Sequence, residues 1–423
     1  MKTKNNINNL IICLLALVLL LPVRLIAQLN PFEVEKFEFI SYDDNGLILN
    51  DHQQAELFFS KLDRLILQGK GKINILHIGD SHIQADYVSG HLRKRFQEMA
   101  WGLNGGRGFV FPVKMAQSNN PWNFSVSYTG NWESCKNVEK EQICPLGLAG
   151  YLVATTDQKA GIRINFKEDN SLTYSYNTLR VFHNMDTATW QITPENSSLT
   201  YTLQHRPDSG FSEFRFDSPL DSMEILISKQ GVSGEFVFRG FQFMNDDPGI
   251  VYHSVGVNGA KTESWLRCPL LEKEISCIAP DLIIISLGTN DAYTSKFDAE
   301  VFENNCRQLL TRLQRVAPDA AVLWVTPGDN YRYRKYLNYS TEKASDVILK
   351  LGGEKQFMVW DFYDIMGELN AIMSWYRAGL TAHDKLHFNK KGYTLQANLM
   401  FNAFLRAYNQ HIENKTKNWM DGN

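Results

Sequence analysis

Four short stretches combine the residue types that acyl transfer needs. Gly79-Asp80-Ser81-His82 follows the apolar run Ile73 to Ile78. A serine at such a strand-to-helix turn is exposed, and the amides of the helix's first turn face a developing negative charge. Asp384-Lys385-Leu386-His387 sets a carboxylate three residues before an imidazole. The acid can accept a hydrogen bond from the far ring nitrogen while the near one takes a hydroxyl proton. Gly288-Thr289-Asn290-Asp291 closes the run Leu282 to Leu287, and the Asn290 amide there can donate to an oxyanion. In Val257-Asn258-Gly259-Ala260, the glycine permits close backbone approach to a ligand. Each stretch read alone has a plainer meaning. Ser81 can be only an N-cap, Asn290 and Asp291 only turn residues, and Asp384 to His387 only a surface loop.

The elements that carry these stretches give them a common address. Ile73 to Ile78 reads as a buried strand, followed by a turn and a helix bearing Tyr87, Leu92 and Phe96. Ile250 to Val257 reads as a strand and Lys261 to Glu272 as a helix. Leu282 to Leu287 is too continuously apolar for a surface strand, which predicts a central place in a parallel sheet. Helix Ala299 to Val316, strand Ala321 to Val325, helix Arg332 to Leu351, strand Phe357 to Trp360 and a helix from Lys390 to His411 complete the series. Strands alternating with helices predict a doubly wound parallel sheet with right-handed crossovers. Catalytic residues of such sheets gather at the carboxyl ends of strands, where all four stretches fall or to which the last helix returns.

Between Ser118 and Met244 the texture changes to short alternating runs separated by Gly, Asn, Asp and Pro, as in Gly234-Glu235-Phe236-Val237-Phe238. That pattern predicts an all-β module, inserted after the first strand–helix unit. A long loop adds little closure entropy, so an insertion there is tolerated.

The ordered set Ser81, Gly259, Asn290 and His387, with Asp384 in the place of the acid, resembles the SGNH (GDSL-like) hydrolase superfamily. The resemblance spans about Lys72 to Arg107 and Val251 to Ala407. It implies a flavodoxin-like three-layer α/β/α fold with Ser81, Asp384 and His387 as catalytic residues. It also implies an oxyanion hole of Ser81, Gly259 and Asn290, and no metal or organic cofactor. His82 in place of leucine after the serine, Val257 to Ala260, and the early β insertion are similar to the two-domain bacterial peptidoglycan O-acetylesterases. The implied partner is an acetylated polysaccharide, peptidoglycan or another glycan. An O-acetyltransferase, an acetylxylan-type esterase and a non-catalytic carbohydrate-binding envelope protein stay open. No Gly-x-Ser-x-Gly elbow surrounds Ser81, which argues against the α/β-hydrolase fold.

Lys2 and Lys4, the apolar run Leu10 to Leu21 and the small Ala27 form a signal-peptide pattern, too short for an ordinary membrane span. Export to the periplasm or cell envelope is expected, with an uncleaved N-terminal anchor as the alternative. The chain divides into leader 1–27, hydrolase part 28–117, a jelly-roll or sandwich-like β insert 118–248 with a carbohydrate-binding character, and hydrolase part 249–423. A net charge of -3 over 423 residues leaves no electrostatic footprint for nucleic acid.

Outside the leader, Cys135 lies near Cys144 and Cys268 near Cys277, so two local disulfides can form, while Cys306 reads as a buried helix thiol. His82 and His383 read as local hydrogen-bonding residues, and Asp80 and Asp291 as loop braces. Trp122, Trp132, Trp190 and Tyr128 of the insert are either core or a sugar-stacking face, and aromatics in a β module favour core.

Overall fold

The computed structural model describes residues 31–50, 52–167, 172–184, 187–232 and 234–421. The expected leader, residues 1–27, lies outside the described residues.

Five strands, β1 (Lys72–Gly79), β2 (Gly249–Gly256), β3 (Leu282–Ser286), β4 (Ala321–Val325) and β5 (Met358–Trp360), build one parallel sheet. Their spatial order is β2-β1-β3-β4-β5, with the apolar run of β3 at the centre. Because helices cover both faces, successive residues of one strand enter different cores. Ile73, Ile75, Leu282 and Ile284 meet helices His52–Gln68, Val88–Glu98 and Lys390–Asp421 on one side. Leu76, Ile78, Ile283 and Ile285 meet helices Leu271–Ile278, Ala299–Val316 and Ser340–Lys355 on the other. The three-layer doubly wound α/β fold is therefore present.

Two helices differ from expectation. The stretch expected as one helix from Lys261 to Glu272 forms two, Thr262–Leu266 and Leu271–Ile278. Pro269 between them lacks the N–H a continuous helix needs. The helix expected from Arg332 begins only at Ser340. Tyr333 and Arg334 take positive φ (53° and 65°), closing a small hairpin between Tyr331–Arg332 and Tyr336–Leu337.

The inserted module consists of a seven-stranded and a four-stranded antiparallel sheet. Its first strand, Gly108–Val110, pairs with the last, Phe236–Met244, so the module's pairing begins ahead of residue 118. Phe109, Phe182, Phe214, Phe238 and Phe241 belong to the same buried cluster as Ile283, Trp265 and Leu313. One face of the parallel sheet and the insert thus share a core.

Cys135 and Cys144 form a disulfide within the insert. The second bridge allowed by the sequence is absent: Cys268 and Cys277 are free thiols. Cys268 lies in the connection between the two short helices and donates to the Ser264 carbonyl, whereas Cys277 lies within helix Leu271–Ile278 and donates to the Lys273 and Ser209 carbonyls. Cys306 is buried in the Ala299–Val316 helix.

Candidate active site

The turn that carries Ser81 depends on two glycines. A Cβ at Gly79 would lie 2.2 Å from the Ile83 side chain, and one at Gly256 would lie 2.3 Å from the Gln84 nitrogen. With neither present, the one-turn helix Ser81–Gln84 presses directly against the carboxyl ends of β1 and β2. Asp80 caps this turn by accepting from the His82 N–H at 3.0 Å. Ser81 is left facing the loop that precedes the last helix.

There Ser81 Oγ lies 2.8 Å from His387 Nε2, and His387 Nδ1 lies 2.7 Å from Asp384 Oδ2. The second oxygen of Asp384 accepts the Leu386 and His387 backbone N–H groups at 3.0 and 2.9 Å. Burial alone would raise the Asp384 carboxyl, but these hydrogen bonds from His387 and Leu386 outweigh it and hold the group well below the ordinary carboxylate range. The loop itself is pinned by the Ala382 N–H donating to the His387 carbonyl at 2.8 Å. Three residues 306 positions apart at their extremes are thereby set in the order hydroxyl, imidazole, carboxylate.

Gly259 has φ +79° and open space where a side chain would stand, so its backbone reaches the cleft in a conformation that disfavours other residues. Among the described residues, the N–H groups of Ser81 and Gly259 have no hydrogen-bond partner. Asn290 is different. Its amide nitrogen donates both to Asp80 Oδ2 and to the Ala260 carbonyl, each at 3.1 Å. Binding an oxyanion requires it to exchange one of these partners.

Asp80 is buried beneath this group, and burial pushes its carboxyl up to about 7, against the lowering effect of the His82 N–H. Asp291, raised by burial, accepts from the Thr262 N–H and hydroxyl at 3.2 and 2.7 Å. It ties the Gly259 turn to the Asn290 turn.

Ser81, Gly259, Asn290 and His387 all line one cleft of about 560 Å³, with Asp384 behind the imidazole. His82 Nδ1 faces the Tyr393 hydroxyl at 2.9 Å, and its ring centre is 5.0 Å from that of His387. Burial and the His387 charge push His82 down to about 3, so it stays neutral and holds position rather than carrying protons. His383 Nδ1 lies 3.5 Å from the Tyr376 hydroxyl, and His383 is not among the residues lining the cleft. Trp190 is core and Trp132 packs against it, whereas Tyr128 is exposed. Trp122 departs from the expectation of core: it lines the cleft with Asn119 and Asn120.

Gln84 was not singled out by sequence, and it joins the site to the insert. Its amide nitrogen donates to Ser118 Oγ and the Asn119 carbonyl, both at 2.9 Å. Its oxygen accepts the Tyr151 hydroxyl at 2.7 Å and the Asn258 N–H at 2.8 Å. The one available signal is its place in the turn three residues after Ser81. Among the described residues, no group of three or more His, Cys, Asp or Glu side chains is placed to hold a metal ion.

Residues 230–395 match the GDSL-like Lipase/Acylhydrolase family; the matched stretch contains Gly259, Asn290, Asp384 and His387, and Ser81 precedes it. Among curated proteins, none matches the chain. A solved structure of a peptidoglycan O-acetylesterase superposes with TM-score 0.71 at 22% identity, over 86% of this chain and 99% of that one. A lipase/acylhydrolase from Enterococcus faecalis (21% identity, 38% and 77% covered, TM-score 0.30) is similar over a smaller part. So is an acetylxylan esterase from Geobacillus stearothermophilus (18%, 38% and 73%, 0.30). The 0.71 superposition covers both the α/β layers and the inserted sheets, and shows that the SGNH hydrolase fold is shared. Over residues 230–395 the chain is similar to the GDSL-like Lipase/Acylhydrolase family, and its fold is that of the solved O-acetylesterase.

Proposed function

We propose that this protein is an exported serine esterase that removes O-acetyl groups from a polysaccharide, with peptidoglycan as the first substrate to test. The observation that carries the reading is the continuous relay from Ser81 Oγ through His387 to Asp384, at 2.8 and 2.7 Å, opening on a cleft where the Ser81 and Gly259 N–H groups have no partner among the described residues. The choice of polymer is supported by the fold-level likeness to a peptidoglycan O-acetylesterase. Export is supported by the leader-like residues 1–27.

In this scheme His387 Nε2 takes the Ser81 proton as Oγ bonds to the acetyl carbonyl carbon. The carbonyl oxygen becomes an oxyanion held by the Ser81 and Gly259 N–H groups, with Asn290 as the third donor. Collapse breaks the bond to the sugar oxygen, which receives the proton from His387. Acetyl-Ser81 remains. Water then adds by the same route, returning its proton to Ser81 Oγ and releasing acetate. Asp384 holds the Nδ1–H tautomer and stabilises the imidazolium between the two proton transfers.

Purified wild type and Ser81→Ala are compared for acetate release from 4-nitrophenyl acetate and from O-acetylated peptidoglycan. The expected result is a loss of about 10³-fold or more in kcat for Ser81→Ala on both, and a comparable loss for Asp384→Asn. Equal rates for wild type and Ser81→Ala would overturn the proposal. Acetate appearing on a sugar acceptor instead of in solution would convert it to a transferase.

A further inference from the structure

We propose that the insert's first loop, Asn119 to Trp122, is a sugar-binding subsite of this cleft, with the Trp122 indole as the platform for a pyranose ring beside the acetylated one. The proposal rests on the esterase reading above and adds a recognition role for the inserted module.

Trp122 is held too firmly for a surface side chain without a task. Its indole N–H donates to the Asp86 carbonyl at 3.0 Å. Its ring stacks on Tyr87 with centroids 6.0 Å apart and planes at 9°, and Tyr87 stacks on Tyr393 at 5.9 Å and 5°. Asp86 is itself fixed: its carboxylate binds Arg93, Arg107 and Asn123 at 2.8, 2.7 and 2.6 Å. The residue after Trp122 is therefore anchored to the same carboxylate whose backbone anchors the indole. A preorganised ring binds with little loss of side-chain freedom.

The chemistry around the ring fits an uncharged polyhydroxylated ligand. The cleft lining contains neither carboxylate nor ammonium, but does contain the amides of Asn119, Asn120 and Asn258. Asn120 donates to the Phe124 carbonyl at 2.7 Å, while its Oδ1 is buried without a partner. The lining amides of Asn119, Asn120 and Asn258 offer donors and acceptors of the kind that sugar hydroxyl and acetamido groups pair with. C–H faces of a pyranose cover the indole while its polar edge meets the amides. Lys390, exposed at the rim, holds its ammonium 5.2 Å from the indole centroid and moves aside by rotation of its own stem. Gln84 fixes the loop relative to Asn258 and hence to the Gly259 turn, so a sugar on Trp122 is in register with the oxyanion donors.

The test uses the full mature protein with 4-nitrophenyl acetate and O-acetylated peptidoglycan as substrates. Trp122→Ala is expected to lower kcat/KM for peptidoglycan relative to the chromogenic ester by about tenfold or more, through KM, and Trp122→Phe to recover most of it. In parallel, sedimentation with insoluble de-O-acetylated peptidoglycan compares Ser81→Ala with Ser81→Ala/Trp122→Ala. The double variant is expected to bind about tenfold more weakly. An unchanged substrate ratio together with unchanged sedimentation, or Phe no better than Ala, overturns the subsite. An inactive wild type that still sediments in a Trp122-dependent way overturns the esterase reading and leaves the subsite standing.

Discussion

Asn290 donates its side-chain N–H to Asp80, 3.1 Å away, so the residue directly before the candidate nucleophile holds the third candidate oxyanion donor. The same carboxylate caps the helix that starts at Ser81. One buried acid thus positions both the candidate attacking oxygen and a group that would receive the charge created there. This coupling makes Asp80 a positioning residue.

Asp80→Asn replaces an acceptor facing Asn290 with a group that also carries donors. Steady-state hydrolysis of 4-nitrophenyl acetate should show kcat lowered about 10- to 100-fold with KM nearly unchanged. Asn290→Ala should cost a similar factor, and the double variant little more than either single one. Additive losses would show that the two residues act separately.

Stability should respond to pH with opposite signs from two buried acids. Asp80, pushed by burial to about 7 from 3.8, keeps its proton in the folded state where the unfolded chain releases it. Its contribution to stability therefore falls as pH rises from about 4 to 7. For Asp86, burial would raise the carboxyl, but Arg93 and Arg107 outweigh it and hold the group far below 3.8. Its contribution is present above about pH 4 and is lost as pH falls below that value. Thermal denaturation across about pH 3 to 8 checks both. Asp80→Asn should flatten the decline between about 4 and 7. Asp86→Asn should cost about 3–5 kcal/mol at neutral pH by leaving two buried guanidinium groups underpaired, and progressively less in acid.

Gln84→Ala should leave the Tyr151 hydroxyl and Asn258 N–H without their acceptor. Chemical denaturation is expected to show a loss of about 2–4 kcal/mol. Gln84→Glu keeps the acceptor but loses the donors to Ser118 and Asn119, so it should raise KM for O-acetylated peptidoglycan more than for 4-nitrophenyl acetate. Equal effects on the two substrates would deny the link to the insert.

The thiols offer a check on the covalent structure. Burial pushes Cys268 up to about 12 and also raises Cys277 and Cys306. In the chain lacking residues 1–27, a thiol reagent at pH 8 (a reactive range for free thiols) should reach Cys277 at most in the native protein. After denaturation without reductant it should reach Cys268, Cys277 and Cys306, with Cys135 and Cys144 held in their disulfide. Five thiols would contradict the bridge.

The parallel layer was legible in sequence because burial on both faces leaves continuous apolar runs, as in Leu282 to Leu287, and because Ala299 to Val316 keeps a helical period to its ends. Helix His52–Gln68 was overlooked, although Ala55, Phe58, Phe59, Leu62 and Leu65 mark one face of it. The hairpin at Tyr331 depends on two positive φ values at Tyr333 and Arg334, residues whose types do not announce that conformation. At the site, Ser81, Gly259, Asn290 and His387 stood out because their chemistry is tied to strand ends. Gln84 did not, since its position is defined by partners far along the chain such as Asn258, and Trp122 was legible only as one of four insert aromatics, with core the favoured place. Asn119-Asn120-Pro121-Trp122 stands at the change of texture, which is the one trace of Trp122's place.

The insertion separates neighbours of one sheet: His77 on β1 meets Tyr252 on β2, 175 residues later, at 2.7 Å. Pairing these strands from an unstructured chain closes a very long loop, which slows a search dominated by non-local contacts. A module that has already folded, with its first and last strands, Gly108–Val110 and Phe236–Met244, side by side, delivers the ends of that loop to adjacent points. The order of assembly follows: Trp132 and Trp190 of the insert should reach native packing before Trp324 and Trp360 of the parallel layer. Single-tryptophan variants followed by stopped-flow fluorescence would reveal the reverse order if β1 and β2 pair first.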